Sequence, residues 1–171
     1  MIFLTIGTHE PFDRLVRAVD DWYGKSDKSQ VLFGQVTEKG LKSYRPKHFD
    51  AIDRISPANY SDRFSKAGLI VSHAGMGSII TALQMGKPIV VMPRRAHLGE
   101  TRNDHQFTTA KMIGDHSSIY VAEDETQFAE TMDRALVEIK TSERSQISEY
   151  AEPAFTDTLR LFLLETKRSN A

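Results

Sequence analysis

Two kinds of hydrophobic pattern take turns along the chain. Short apolar runs rich in β-branched residues predict strands at residues 2–6, 30–36, 51–55, 69–72, 89–92 and 119–121. Apolar residues that return every three or four positions predict helices at residues 12–23, 59–67, 78–85, 103–113, 125–139 and 155–167. Asn59 is the predicted cap of the second helix. Because strands and helices alternate, the pattern predicts an α/β fold: a single Rossmann-like domain with a mainly parallel sheet.

The last predicted helix has a wider apolar face than a surface helix needs. Phe155, Leu159, Phe162 and Leu163 share that face. It packs on its own domain or it also binds a partner, and the pattern leaves both interpretations open. The predicted organisation is a Rossmann-like domain at residues 1–150 and an amphipathic C-terminal helix at residues 151–171, a candidate dock for a partner.

The composition is that of an ordinary globular domain, with 171 residues, 40% of them hydrophobic, and a net charge of -1. Such a charge gives no electrostatic reason to bind DNA or RNA, so we predict no nucleic-acid partner. The absence of cysteine excludes disulfides and thiolate metal sites and fits a reducing compartment. The start of the chain lacks a signal-peptide pattern, and no apolar run approaches the roughly 18 residues of a membrane span, so we expect a cytoplasmic protein.

Three polar loops follow predicted strands, at residues 7–11, 72–78 and 93–106. Ligands of open parallel sheets bind beyond the carboxyl ends of the strands. We therefore expect the three loops to converge on one ligand site.

The loop at residues 72–78 has the composition of a phosphate-binding turn. Gly75 and Gly77 allow backbone N–H groups to approach a ligand at the start of a helix, Ser78 adds a hydroxyl, and His73 can donate a hydrogen bond. The alternative is that the glycines only permit a tight turn and Ser78 caps the helix. The loop lacks the Gly-Lys-Ser/Thr ending of a Walker loop, and residues 7–11 lack the glycine series of a dinucleotide-binding domain.

The order of motifs resembles a known family. The segments SHAGMGS at residues 72–78, ALQMGKPIVVMP at 82–93 and NDHQ at 103–106 resemble the C-terminal domain of GT-B glycosyltransferases of the family 28 type. The opening GTHEPFDRLV and the stretch at residues 93–106 are similar to small catalytic subunits of split UDP-glycosyltransferases in bacterial exopolysaccharide synthesis. These are related to the cytosolic subunit of the dolichol-pathway N-acetylglucosamine transferase. The resemblance covers about residues 1–140.

The resemblance implies which residues bind a UDP-sugar. It places the donor diphosphate against two loops, with the residues Gly7, Thr8, His73, Gly75, Gly77 and Ser78. It assigns Glu100 to the ribose and Asp104, His105 and Gln106 to the sugar hydroxyls, and Arg94 is a candidate for phosphate or an acidic sugar. Many relatives carry a glutamate for the ribose where this chain has Thr81.

Two of these assignments have structural alternatives. Asp104 is also explained as the acidic residue at the start of its helix. Glu100 is also explained as a surface ion-pair partner of Arg94, Arg95 or Arg102.

Glycosyl transfer also needs a base for the acceptor hydroxyl. His9 is the first candidate, because its ordinary pKa lies near neutrality, and Glu10 is the second. The alternative is that the base comes from another chain. We expect no metal and no cofactor, because the acidic pairs of the sequence lie on predicted helices and not in a loop at a strand end.

The resemblance also implies a missing half, since GT-B enzymes work in a cleft between two domains. We expect a membrane-anchored, acceptor-binding glycosyltransferase subunit that recruits this chain to the inner face of the membrane and to a lipid-linked saccharide acceptor. The predicted function is the catalytic, donor-binding subunit of an inverting UDP-sugar transferase in exopolysaccharide or capsule synthesis, with glucuronic acid as a candidate sugar. The alternatives are a non-catalytic accessory subunit and a freestanding nucleotide-binding domain of another enzyme class.

Overall fold

The computed structural model describes residues 1–8, 10–37, 43–114, 116–141 and 147–148. His9, the predicted C-terminal helix at residues 155–167 and the predicted boundary at residue 150 lie outside the described residues. The described residues form one sheet covered on both faces by helices. Its strands are β1 (Ile2–Thr5), β2 (Leu32–Gln35), β3 (Asp50–Ile52), β4 (Leu69–His73), β5 (Ile89–Met92) and β6 (Ile119–Val121).

Each strand pairing is parallel, and the strand order is β3-β2-β1-β4-β5-β6. The helices are α1 (Asp13–Lys25), α2 (Pro57–Lys66), α3 (Met76–Gln84), α4 (His105–Ile113) and α5 (Glu125–Glu138). This confirms the predicted α/β, Rossmann-like fold with a parallel sheet. The order reverses between β1 and β4, which is where ligands of such sheets bind.

Alternate side chains of the central strands pack into separate cores on the two faces of the sheet. Leu4 belongs to the core under α1 and α5, together with Val16 and Phe128. Its neighbour Phe3 belongs to the core under α2 and α3, together with Phe64. Because both faces are covered, the strands read as continuous apolar runs, and each buried large side chain contributes roughly 1.5–3 kcal/mol.

Several helix boundaries differ from the prediction, and at α2 a side-chain cap is the reason. The prediction that Asn59 caps the second helix was wrong: α2 starts at Pro57, and the side chain of Ser56 accepts a hydrogen bond from the backbone N–H of Asn59. Helix α3 starts at Met76, so Ser78 lies in its first turn and is not its cap. A short 3-10 helix, Ala96–Leu98, interrupts the predicted polar loop and ends at Gly99, whose φ is 70°.

Candidate functional site

The three loops predicted to converge do meet at the carboxyl end of the sheet. They enclose an open cavity of about 450 Å³. From the predicted set, the cavity is lined by Gly7, Thr8, Glu10, His73, Arg94, Glu100 and Gln106. Gly75, Gly77, Ser78, Asp104 and His105 are not among its lining residues.

The imidazole of His73 lies between two glycine backbones. A Cβ atom at Gly75 would overlap the ring, and a Cβ at Gly7 would lie 3.3 Å from its Cε1. Gly7 also has a φ of 79°, which disfavours other residues. Both glycines are therefore explained by backbone geometry and packing around His73.

His73 is a neutral group at physiological pH. Burial, followed by the nearby charges of Arg94 and His105, lowers its pKa to about 4. Its Nδ1 atom lies 3.3 Å from the hydroxyl oxygen of Ser72. A neutral ring has one N–H donor and one acceptor, so His73 can donate a hydrogen bond to an oxygen without carrying a charge.

The first turn of α3 has open backbone donors. Within the described part of the chain, no acceptor is seen for the N–H groups of Met76, Gly77 and Ser78. A Cβ at Gly77 would meet nothing within 4 Å. Tight packing therefore explains Gly75 but not Gly77, and the space beside Gly77 leaves the helix N-terminus accessible to an anion.

Arg94 joins two of the loops through backbone carbonyls. Its side chain is buried, with 5% exposed. The guanidinium donates to the carbonyls of Ile6, Glu10 and Pro11 at 2.9, 2.7 and 2.7 Å, and to that of Glu100 at 3.3 Å. Burial lowers the pKa of Arg94 from its ordinary value. The guanidinium of Arg94 thus links the carbonyls of Ile6, Glu10 and Pro11 to the loop after β5.

Glu100 pairs with an arginine that the sequence analysis did not consider. Its carboxylate accepts two hydrogen bonds from Arg14, at 2.9 and 2.8 Å, and one from the backbone N–H of Arg95 at 2.8 Å. The alternative explanation of Glu100 named Arg94, Arg95 or Arg102 as its ion-pair partner, whereas among the described residues the ion-pair partner is Arg14. Burial alone would lower the pKa of Arg14, but its bonds to Glu100 and Glu125 outweigh burial and raise it. Glu100 lines the cavity, whereas Arg14 is not among its lining residues.

The predicted sugar-binding residues have different surroundings. Gln106 is buried, lines the cavity and accepts a hydrogen bond from the backbone N–H of Arg94 at 3.2 Å. Asp104 occupies the cap position of α4 without capping it, and its carboxylate accepts from the N–H of Ala96 at 2.9 Å. The imidazole of His105 is exposed and contacts Asn103. Among these three residues, Gln106 is the one that faces the cavity.

A buried polar group that sequence reasoning missed supports the loop after β1 from the opposite side. Gln35 donates to the carbonyl of Gly7 at 3.2 Å and to that of Asp53 at 2.9 Å, and it accepts from Thr5. The hydroxyl of Thr37 donates to the carbonyl of Gly7 at 2.6 Å. The sequence did hold a signal for Gln35 and Thr37: they are polar residues at the end of a buried strand, and buried polar atoms need hydrogen-bond partners.

The chain is similar to known proteins along most of its length. Residues 1–160 match the glycosyltransferase family 28 C-terminal domain. The UDP-N-acetylglucosamine transferase subunit ALG13 of Yarrowia lipolytica is 28% identical over 66% of this chain, and ALG13 of Mus musculus is 32% identical over 65%. The chain spans 60% of the Yarrowia protein and 10% of the mouse protein.

Two solved structures share the fold. An NMR solution structure of ALG13 superposes with a TM-score of 0.53 over 92% of this chain and 93% of that one, at 18% sequence identity. A crystal structure of the glycotransferase of kitacinnamycin gives a TM-score of 0.59 over 82% of this chain and 35% of that one, also at 18% identity. At this identity the superpositions show the fold.

The described residues lack a membrane-spanning helix and a cluster of metal-binding side chains. No helix there has both the length and the apolar character needed to cross a membrane. The same residues contain no group of three or more His, Asp or Glu side chains arranged to hold a metal ion.

Proposed function

The chain belongs to the glycosyltransferase family 28 C-terminal domains, and on that basis we propose that it is the catalytic, donor-binding subunit of a two-component UDP-sugar glycosyltransferase. The observation that carries the proposal is the cavity at the switch point of the sheet. There the neutral imidazole of His73 and the polar loops after β1 and β5 surround a space open to solvent. Nearby, the first turn of α3 offers unpaired N–H donors. Neutral donors and a helix N-terminus suit a diphosphate leaving group.

Each predicted residue has a role in this proposal. The N–H groups of Gly77 and Ser78, the ring of His73 and the turn at Gly7 and Thr8 bind the diphosphate, with Gly75 making room for that ring. Gln106 binds a sugar hydroxyl, with Asp104 and His105 at the outer edge of the sugar site. Glu100 binds the ribose through Oε1, because Oε2 already accepts two hydrogen bonds. Arg94 belongs to the site through the loops that it holds.

In the proposed reaction the acceptor hydroxyl attacks the anomeric carbon of the sugar. The bond from that carbon to the diphosphate oxygen breaks, UDP leaves with the bonding electrons, and the hydroxyl proton passes to a base. His9 and Glu10 stay our candidates for the base, and Glu10 lines the cavity. We propose inversion at the anomeric carbon, with no metal and no cofactor.

The proposal extends to a partner and a place of action. ALG13 is named as a subunit of a UDP-N-acetylglucosamine transferase. We propose that this chain acts with a membrane-anchored subunit that binds a lipid-linked saccharide, at the cytoplasmic face of the membrane. The pathway we propose is exopolysaccharide or capsule synthesis, with glucuronic acid the first sugar to test.

Calorimetry on the purified chain tests the donor site. We expect UDP and UDP-sugars to bind in competition with one another and NAD not to bind. Gly77→Val is the site variant, because its side chain would occupy the open space beside the first turn of α3. It should weaken UDP binding at least about tenfold. Gly114→Ala, at the far end of α4, is the control. Tight NAD binding, or no binding of any uridine nucleotide, would contradict the proposed function.

A further inference from the structure

We infer that Arg94, Gln35 and Thr37 are positioning residues of the donor site: they hold backbone carbonyls of the chain after β1, and so keep Gly7 and Thr8 in place at the wall of the cavity where the diphosphate would bind. This inference rests on the proposed function. It assigns to Arg94 an action through the loop, and it brings Gln35, which is not a lining residue of the cavity, into the donor site.

The first step is that internal donors hold the carbonyls at both ends of this segment. Arg94 donates to the carbonyls of Ile6, Glu10 and Pro11. Gln35 and Thr37 both donate to the carbonyl of Gly7. Arg94 lies two residues after β5, whereas Gln35 is the last residue of β2 and Thr37 follows it, so the carbonyls are held from two directions.

The second step is that the held residues belong to the wall of the cavity. Ile6, Gly7 and Glu10 each have a carbonyl held by these donors, and all three line the cavity. Loss of the donors would therefore shift the backbone that borders the ligand space.

The third step concerns the shape of the guanidinium. Arg94 reaches four carbonyls with its two terminal nitrogens and stacks on Phe12, with its guanidinium carbon 4.6 Å from the ring centre. A planar fork can make such a set of contacts, whereas the single ammonium of a lysine cannot. A lysine at this position would keep the positive charge but lose most of the loop contacts.

Replacing Arg94 separates positioning from direct charge attraction. For both Arg94→Lys and Arg94→Met we expect the Kd for UDP to rise at least about tenfold, because misplaced binding groups lose affinity steeply. In free protein, the amide hydrogens of Gly7 and Thr8 should exchange faster in both variants, while those of β4 and β5 stay protected. Arg134→Met, which removes an exposed arginine on α5, is the control for charge. If Arg94→Lys binds UDP within about twofold of the native chain while Arg94→Met does not, Arg94 acts by its charge and the inference is wrong.

Thr37→Val tests the second support and is the variant to use if those at Arg94 do not fold. Valine has nearly the same shape but cannot donate to the carbonyl of Gly7. We expect the Kd for UDP to rise about threefold or more, with faster exchange at Thr8 and a melting temperature lowered by only about 2–4 °C, because one buried hydrogen bond is lost. Unchanged exchange at Thr8 together with unchanged affinity would refute the inference.

The two proposals fail in different ways. If the native chain binds no uridine nucleotide, the proposed function fails, and amide exchange at Gly7 and Thr8 in the free variants still decides whether Arg94 and Thr37 position the loop. If the native chain binds UDP and all three variants bind it equally well, the proposed function survives and the inference fails.

Discussion

The surroundings of His73 determine both the position of its imidazole ring and its charge. Gly7 and Gly75 leave space for the imidazole, and burial keeps the ring uncharged. A buried neutral histidine is a hydrogen-bond donor whose strength does not change as the pH passes through 6 or 7. This differs from an exposed histidine, which would gain its charge in the same range.

Replacing His73 should therefore alter affinity and acid stability together. For His73→Ala we expect the Kd for UDP to rise about tenfold, equally at pH 6 and pH 8, because one neutral hydrogen bond is lost. The folded pKa of about 4 lies below the ordinary value of 6.5, so the unfolded state binds the proton more tightly. The native chain should lose stability as the pH falls from 6.5 toward 4, and His73→Ala should lose less. Urea denaturation across that range measures the difference, and parallel curves would contradict this account.

Residue-scale pairings were the part of the site that the sequence could not predict. Glu100 and Arg14 are 86 positions apart, and each has nearer partners of opposite charge in the sequence. Arg14 and Glu100 pair because the sheet places the start of α1 beside the loop after β5. The neutral state of His73 likewise depends on its burial in the folded chain, and that burial cannot be inferred from the residue type at one position.

At the scale of elements, the hydrophobic pattern predicted each described strand and α-helix but not the 3-10 helix, and local chemistry set the ends of the elements. Helix α2 begins at Pro57, two residues before the start that the apolar pattern predicted, because Ser56 supplies a side-chain cap and Pro57 has a fixed φ. The carboxylate of Asp104 bonds to the 3-10 helix before α4, an element whose three residues are too few to show a period. Elements follow from repeated patterns, whereas their junctions depend on single contacts.

The buried carboxylate of Asp20 on helix α1 binds the segment at residues 44–48. Asp20 accepts hydrogen bonds from the hydroxyl of Tyr44 at 2.6 Å and from the N–H groups of Lys47 and His48 at 3.0 and 2.8 Å. Burial would raise the pKa of Asp20, but the hydrogen bonds from Tyr44, Lys47 and His48 outweigh it and lower the pKa. The hydrogen bond from Tyr44 to Asp20 raises the pKa of Tyr44 to about 12.

Asp20→Asn should therefore destabilise the chain in a pH-dependent way. We expect a loss of about 1–3 kcal/mol at pH 7, because an amide matches these three donors poorly. The folded pKa of Asp20 is lowered, so the stabilisation is present above its unfolded value and disappears as the pH falls through the folded one. Asp21→Asn, one position along α1 and exposed, is the control. Equal losses for the two variants, or an equal loss at pH 7 and pH 3, would argue against this role.

At the scale of the whole molecule, the cavity at the switch point of the sheet is open to solvent. Under the proposed function an acceptor would approach from that open side, and we propose that a partner subunit supplies the surface for it. Sequence patterns predicted this domain and its three loops because both are local features repeated along the chain. They did not predict how the loops are fixed, since that depends on contacts between β2, β5 and the segment after β1.

Reconstitution tests the whole proposed enzyme. We expect the purified chain alone to bind UDP-sugars but to transfer sugar to a lipid-linked acceptor at a rate at least about a hundredfold below that of the complex with its membrane-anchored subunit, because only the complex holds both reactants in contact. A panel of UDP-sugars, beginning with UDP-glucuronic acid and UDP-N-acetylglucosamine, identifies the donor. The complex with Gly77→Val should assemble normally yet transfer slowly, which separates catalysis in this chain from an accessory role. Full transfer by that variant complex would assign the donor site to the partner, and efficient transfer by the chain alone would remove the need for a second subunit.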